Sequence, residues 1–173
     1  MEARDLLRDA FVRVRQDTHA AVDGLDAIQI LLRPDAAANP IGWLVWHLTR
    51  VQDHHVSEIA AHPQAWLTGG WNERFGTDPD ENNTGFGHTP DQVAAVVPDR
   101  IDNLLGYHDA VHAETLDYLE TVDGSELDRI IDRRWDPPVT VGVRLVSVIN
   151  DTMQHAGQAN YIRGLIERGL AVD

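Results

Sequence analysis

A chain of 173 residues that is 43% hydrophobic is long enough to bury a sizeable core, so one folded domain over residues 1–173 is expected. Lys plus Arg number 14 and Asp plus Glu 28, a net charge of −14, which argues against nucleic acid as a partner because phosphate backbones are held by lysine and arginine. The absence of cysteine excludes disulfides, thiolate metal ligands and a cysteine nucleophile.

The N-terminal run Met1-Glu2-Ala3-Arg4-Asp5 lacks the basic-then-apolar order of a signal peptide. No apolar run approaches the ~20 residues of a membrane span. A cytoplasmic location with no membrane partner is the expectation.

Apolar residues recur at helical spacing from about Glu2 to Leu32. Leu6, Leu7, Phe11, Val14, Ala21 and Val22 carry a first helix, with Gly24 an interruption or bend and Pro34 its stop. His19, alone in this segment, reads as an ordinary partly buried histidine. Asn39-Pro40 opens a second helix, with Asn39 as cap and Pro40 in its first turn, continuing to about Ala61. Leu44, His47, Leu48, Val51, His55 and Ile59 fall close to one stripe. His47 is therefore a polar group on a core-facing surface, which costs a few kcal/mol unless it is hydrogen-bonded or ligated. His54 follows His47 by seven residues, ~10 Å along the axis, so one ion can take His47 or the His54/His55 pair, hardly both. His54, His55 and His62 read as solvated or supporting groups.

Trp66 to His88 is rich in glycine and breaks any periodicity, while Trp66, Trp71, Phe75 and Phe86 argue for packing over disorder. It is placed to cover a site, to pack outside the bundle, or to meet a second subunit. Thr89-Pro90-Asp91 begins a third helix in which Pro98 makes a kink or ends a short first piece. Its apolar face runs to about Val122. His108 and His112 are four apart, but the nearest carboxylates are Asp109 and Glu114, and core histidines are the preferred reading. Ile130-Ile131 is short and extended, and Trp135-Asp136-Pro137-Pro138 cannot be helical. Thr140 caps a final helix that runs to about Arg168-Gly169.

On that last helix Asp151 and His155, four apart, share a face with Cβ atoms about 5–6 Å apart. A carboxylate and an imidazole so held can converge on one divalent cation, and they need a third ligand from elsewhere. Four long helices with two sizeable connections describe an all-α four-helix bundle.

Trp43-Leu44-Val45-Trp46-His47-Leu48 in the second helix and Asp151-Thr152-Met153-Gln154-His155-Ala156-Gly157-Gln158 in the fourth resemble the DinB/YfiT-like superfamily, in particular an actinobacterial branch of it. The resemblance covers nearly the whole chain. It implies a four-helix bundle, often a homodimer, with a metal held by His47, Asp151 and His155. The family most often has histidine where this chain has Asp151, and its mycothiol-dependent maleylpyruvate isomerases have glutamate there. Relatives act on small molecules as thiol-dependent isomerases or S-transferases with mycothiol or bacillithiol as co-substrate.

Two nitrogens and one oxygen suit a catalytic zinc site with an open position, and the same donors can hold nickel, manganese or iron. A thiol at the open position would be presented as thiolate, and water there would serve hydrolysis instead. Gln158 and Arg144 are placed to orient a ligand or touch a substrate, with structural roles favoured for both. A second reading makes the protein a non-catalytic bundle serving dimerisation or ligand binding. In it, His47, Asp151 and His155 form a metal-free hydrogen-bonded cluster.

Overall fold

Helical periodicity along most of the sequence becomes eight helices and one short hairpin in the computed structural model, which describes residues 2–169. In chain order these are α1 (Ala3–Val22), α2 (Ile41–Ala60), the single turns α3 (Ala65–Thr68) and α4 (Trp71–Arg74), α5 (Pro90–Ala95), α6 (Ile101–Glu120), α7 (Gly124–Asp128), the strands β1 (Ile130–Asp132) and β2 (Val139–Thr140), and α8 (Val141–Glu167). The four long helices form the bundle. α2 packs on α8 and α6, and α1 packs on the same two from the other side.

Side-chain bonds give the directions. His55 meets Arg144 and His47 meets His155, so α2 and α8 run antiparallel. Arg8 with Glu120 and Arg15 with Asp109 make α1 and α6 antiparallel as well. Thr49 with His108 and Gln52 with Thr115 make α2 and α6 parallel. Parallel neighbours require a long crossover, which is why residues 61–100, joining α2 to α6, are an extended connection.

The local sequence explains the ends. Thr89 and Gln92 form a reciprocal capping box that starts α5, and Thr140 accepts from Val143 N to start α8. Pro98 separates α5 from α6 rather than kinking one helix. Two boundaries differ from expectation. The first helix stops at Val22 instead of Leu32, because Gly24 adopts φ +81°, and the chain resumes only as a 3-10 turn at Gln29–Leu31. The second begins at Ile41, with Pro40 itself in the capping position.

A larger difference lies in α2. It does not show one buried stripe but is buried almost all round, Trp43, Val45, Trp46, Thr49, Arg50 and Gln52 included. The connection of residues 61–100 wraps the face that a simple amphipathic helix would leave wet. Trp46, Trp66, Phe75 and Tyr107 form a tilted aromatic cluster there, with ring centroids 5.2–6.3 Å apart in their closest pairings.

Candidate metal centre

The antiparallel seam between α2 and α8 brings His47 against Asp151 and His155. One ligand atom of each lies within 4.8 Å of the others. The two imidazoles meet edge to face with centroids 4.6 Å apart. The fold thus brings together the three residues named from the sequence.

Each ring has one nitrogen already committed. His47 Nδ1–H donates to the carbonyl of Thr84 at 2.5 Å, and His155 Nδ1–H donates to Gln158 Oε1 at 3.0 Å. An oxygen acceptor fixes the proton on Nδ1 and leaves the lone pair of Nε2 directed elsewhere, which is how ligating imidazoles are held. Burial, above all, keeps the His47 pKa below its ordinary value. His155 and His88 push the same way, while the Thr84 carbonyl and Asp151 oppose them. The ring is neutral and able to ligate.

Asp151 is less settled. Its Oδ1 stands 3.7 Å from His155 Nε2, too far for a hydrogen bond, and Oδ2 is buried without a partner. A buried carboxylate oxygen without a donor costs of order 1–3 kcal/mol. The metal-free cluster would need the carboxylate–imidazole bond that this spacing does not make. A cation held between the two imidazoles and the Asp151 carboxylate would satisfy all three, so the residues fit the group.

His47 is also supported from behind. Trp43 stacks on it at 4.6 Å and 12°, and Trp43 Nε1 donates to His88 Nδ1, whose other nitrogen donates to Asn83 Oδ1. Gly85 lies so close that a Cβ there would sit 2.7 Å from Trp46 and 3.1 Å from His47 Nδ1, with φ already at +92°. The loop is in turn pinned by Arg50, fully buried, which donates to the carbonyls of Asp80, Glu81 and Asn83 as well as to Gln64 and Tyr107. The glycine-rich segment therefore acts as a bracket for His47 and lines neither cleft beside the triad.

Those clefts lie at the two ends of the seam. One, about 500 Å³, is mostly apolar and reaches the triad through Gln158, with Leu44, Tyr161 and Ile162 among its walls. The other, about 370 Å³, reaches it through Asp151, with His55, Arg144, Ser147 and Trp135. A larger cavity of about 820 Å³ lies away from the seam, among acidic side chains such as Glu114, Asp117 and Glu126. Size alone does not make it the site, since none of its walls belongs to the triad.

The other histidines lie outside the triad. His54, His55 and Glu58 come within ligand spacing of one another, but Arg144 Nη1 donates to both His55 (2.8 Å) and Glu58 (3.1 Å), so a guanidinium already holds the centre of the group. His108 bonds Thr49, His112 stacks beside it at 6.5 Å, and His19 pairs with Asp109. Gln158 orients His155. Thr84, Arg50 and the Asn83–His88 pair escaped sequence reasoning, for a backbone carbonyl leaves no mark on residue type.

Comparison with known proteins gives the fold and the family. No curated protein matches the chain. A conserved protein of Enterococcus faecalis, solved as a crystal structure, is 32% identical, with a TM-score of 0.87 over 95% of this chain and 97% of that one. The family model described as mycothiol-S-transferase matches residues 6–168. The chain therefore belongs to the mycothiol-S-transferase family, within the DinB/YfiT-like superfamily that its two helix motifs resemble.

Proposed function

We propose that the protein is a divalent-metal-dependent transferase that joins the thiol of a small co-substrate, mycothiol first and bacillithiol second, to an electrophilic small molecule. The observation that carries this is the carboxylate of Asp151, its buried Oδ2 unpaired, grouped with two imidazoles whose Nδ1 protons are already placed. His47, Asp151 and His155 would hold the ion, zinc foremost, and such an ion lowers the pKa of a thiol beside it. Thr84 and Gln158 keep both Nε2 atoms turned inward. The two clefts offer one place for each reactant, and the chain, lacking cysteine, supplies no thiol of its own. In the reaction a carbon–sulfur bond forms, the thiol proton leaves to solvent, and the electrophile loses its leaving group or takes up a proton.

Mixing zinc-loaded protein with mycothiol and monochlorobimane tests this. Conjugation well above the uncatalysed rate is expected, with loss in His155→Ala. Turnover of ester probes without any thiol would instead favour the hydrolase alternative, and neither activity would favour the non-catalytic bundle.

We further propose a homodimer through the outer face of α1 and α8. Leu6, Val146 and Met153 are exposed there, the last two spaced by seven residues and so aligned on α8. A groove between the helices beside Leu6 and Val146 is almost wholly apolar. Sedimentation at micromolar concentration should show a dimer that Val146→Glu dissociates; a monomeric wild type would contradict it.

A further inference from the structure

Arg144 stands seven residues before Asp151 on α8, two helical turns and ~10 Å along the axis, and lines the same cleft. Its guanidinium is held on one side only. Nη1 donates to His55 Nδ1 and to Glu58 Oε2, while Nε and Nη2 make no hydrogen bond among the described residues. The side chain is nonetheless only 15% exposed, so an anchored fork presents its free edge inside a concave surface. Val51, Val139 and Val143 form apolar walls, and Trp135, at the tip of the β1–β2 hairpin, is 66% exposed beside them.

Every charge near the fork has a defined partner or place. Glu58 takes Nη1 and is mostly in water. Asp132 is occupied by the fork of Arg134, and Asp151 belongs to the triad. His55 accepts from Arg144, and burial first, then the charge of Arg144, brings its pKa down to about 4, so it adds no negative or positive charge at neutral pH. Among the described residues, the free guanidinium edge is the one cationic donor lining either cleft beside the triad.

We propose that this cleft is the recognition site for an oxyanion, a carboxylate or its like, on an apolar small molecule whose reactive end reaches the triad. Arg144 binds the anion through its free edge, and Trp135 packs on the apolar body. The ~10 Å between Arg144 and Asp151 sets the reach of such a substrate. The identity of the reactive end rests on the transferase reading above; the anion site does not.

The test uses 4-phenylbutyrate and its neutral amide as probes, titrated by ligand-observed NMR against the full-length protein, zinc-loaded and EDTA-treated. The acid should bind about 10-fold or more tightly than the amide, as a charge-assisted hydrogen-bond pair gives. The preference should persist in EDTA, vanish in Arg144→Gln with zinc uptake unchanged, and shrink severalfold in Arg144→Lys, which keeps the charge without the fork. Trp135→Ala should weaken acid and amide alike. Equal binding of the two probes, a preference that survives Arg144→Gln, or one that disappears with EDTA because the acid sits on the ion, each overturns the proposal. If Arg144→Gln does not fold, the Arg144→Lys result decides. Protein that takes up no zinc yet prefers the acid would refute the metal-dependent reading and leave this one standing; zinc uptake without preference would do the reverse.

Discussion

Arg50→Met is expected to destabilise the protein by about 3–5 kcal/mol in urea unfolding, because it removes the partner of a buried charge and of three loop carbonyls. Arg50 has no solvent exposure and donates to the carbonyls of Asp80, Glu81 and Asn83. Asp53 would keep other donors, Tyr107 Oη at 2.7 Å and the amides of Ala65 and Trp66 at 3.0 and 2.8 Å, so the loss falls chiefly on the loop. That loop carries Thr84, the acceptor for His47. Zinc affinity should accordingly drop by ~10–100-fold even in the folded variant, the usual cost of losing a group that orients a ligand. A change below about 1 kcal/mol, or unchanged zinc affinity, would mean the bracket does not hold His47.

Acid should begin to destabilise the metal-free protein as pH falls below 6.5, before its carboxylates titrate. His108 is wholly buried, and burial first, then His112, brings its pKa from 6.5 to about 3. His55 stands at about 4, mainly through burial, and His112 is lowered for the same leading reason. Below pH 6.5 the unfolded chain binds protons that these folded rings refuse, so the unfolded state gains and stability falls as pH drops. Above 6.5 all forms are neutral and the contribution is constant. At ~1.4 kcal/mol per pH unit, His108 alone accounts for roughly 4–5 kcal/mol by pH 3. His108→Asn should flatten the stability profile between pH 6 and 4; an unaltered slope would show that this imidazole is protonated in the fold after all.

The bundle was legible because four long segments carry helical periodicity with caps and prolines at their ends. The Asp151–His155 pair on α8 was legible for a related reason, since four-residue spacing places both on one face whatever the tertiary structure. His47 was visible as a polar group among apolar neighbours. Burial around the rest of α2 was not, because Arg50 and Asp53 look like surface residues until residues 61–100 fold over them. Gly24 shows the opposite case. Apolar spacing continues past it to Leu32, but one positive φ was enough to end the helix. The bracket behind His47 lay beyond sequence reasoning, since its key contact is to a carbonyl. The same holds for the free edge of Arg144, which depends on which of its nitrogens His55 and Glu58 occupy.

The most direct measurement is zinc stoichiometry and affinity in protein purified without a tag, for the wild type and for His47→Ala, Asp151→Ala and His155→Ala. One zinc per chain is predicted, with each variant weakened at least as much as the ~10–100-fold expected for loss of an outer contact. Protein that takes up no zinc, or His47→Ala protein that holds it as tightly as the wild type, would show that α2 and α8 do not share an ion.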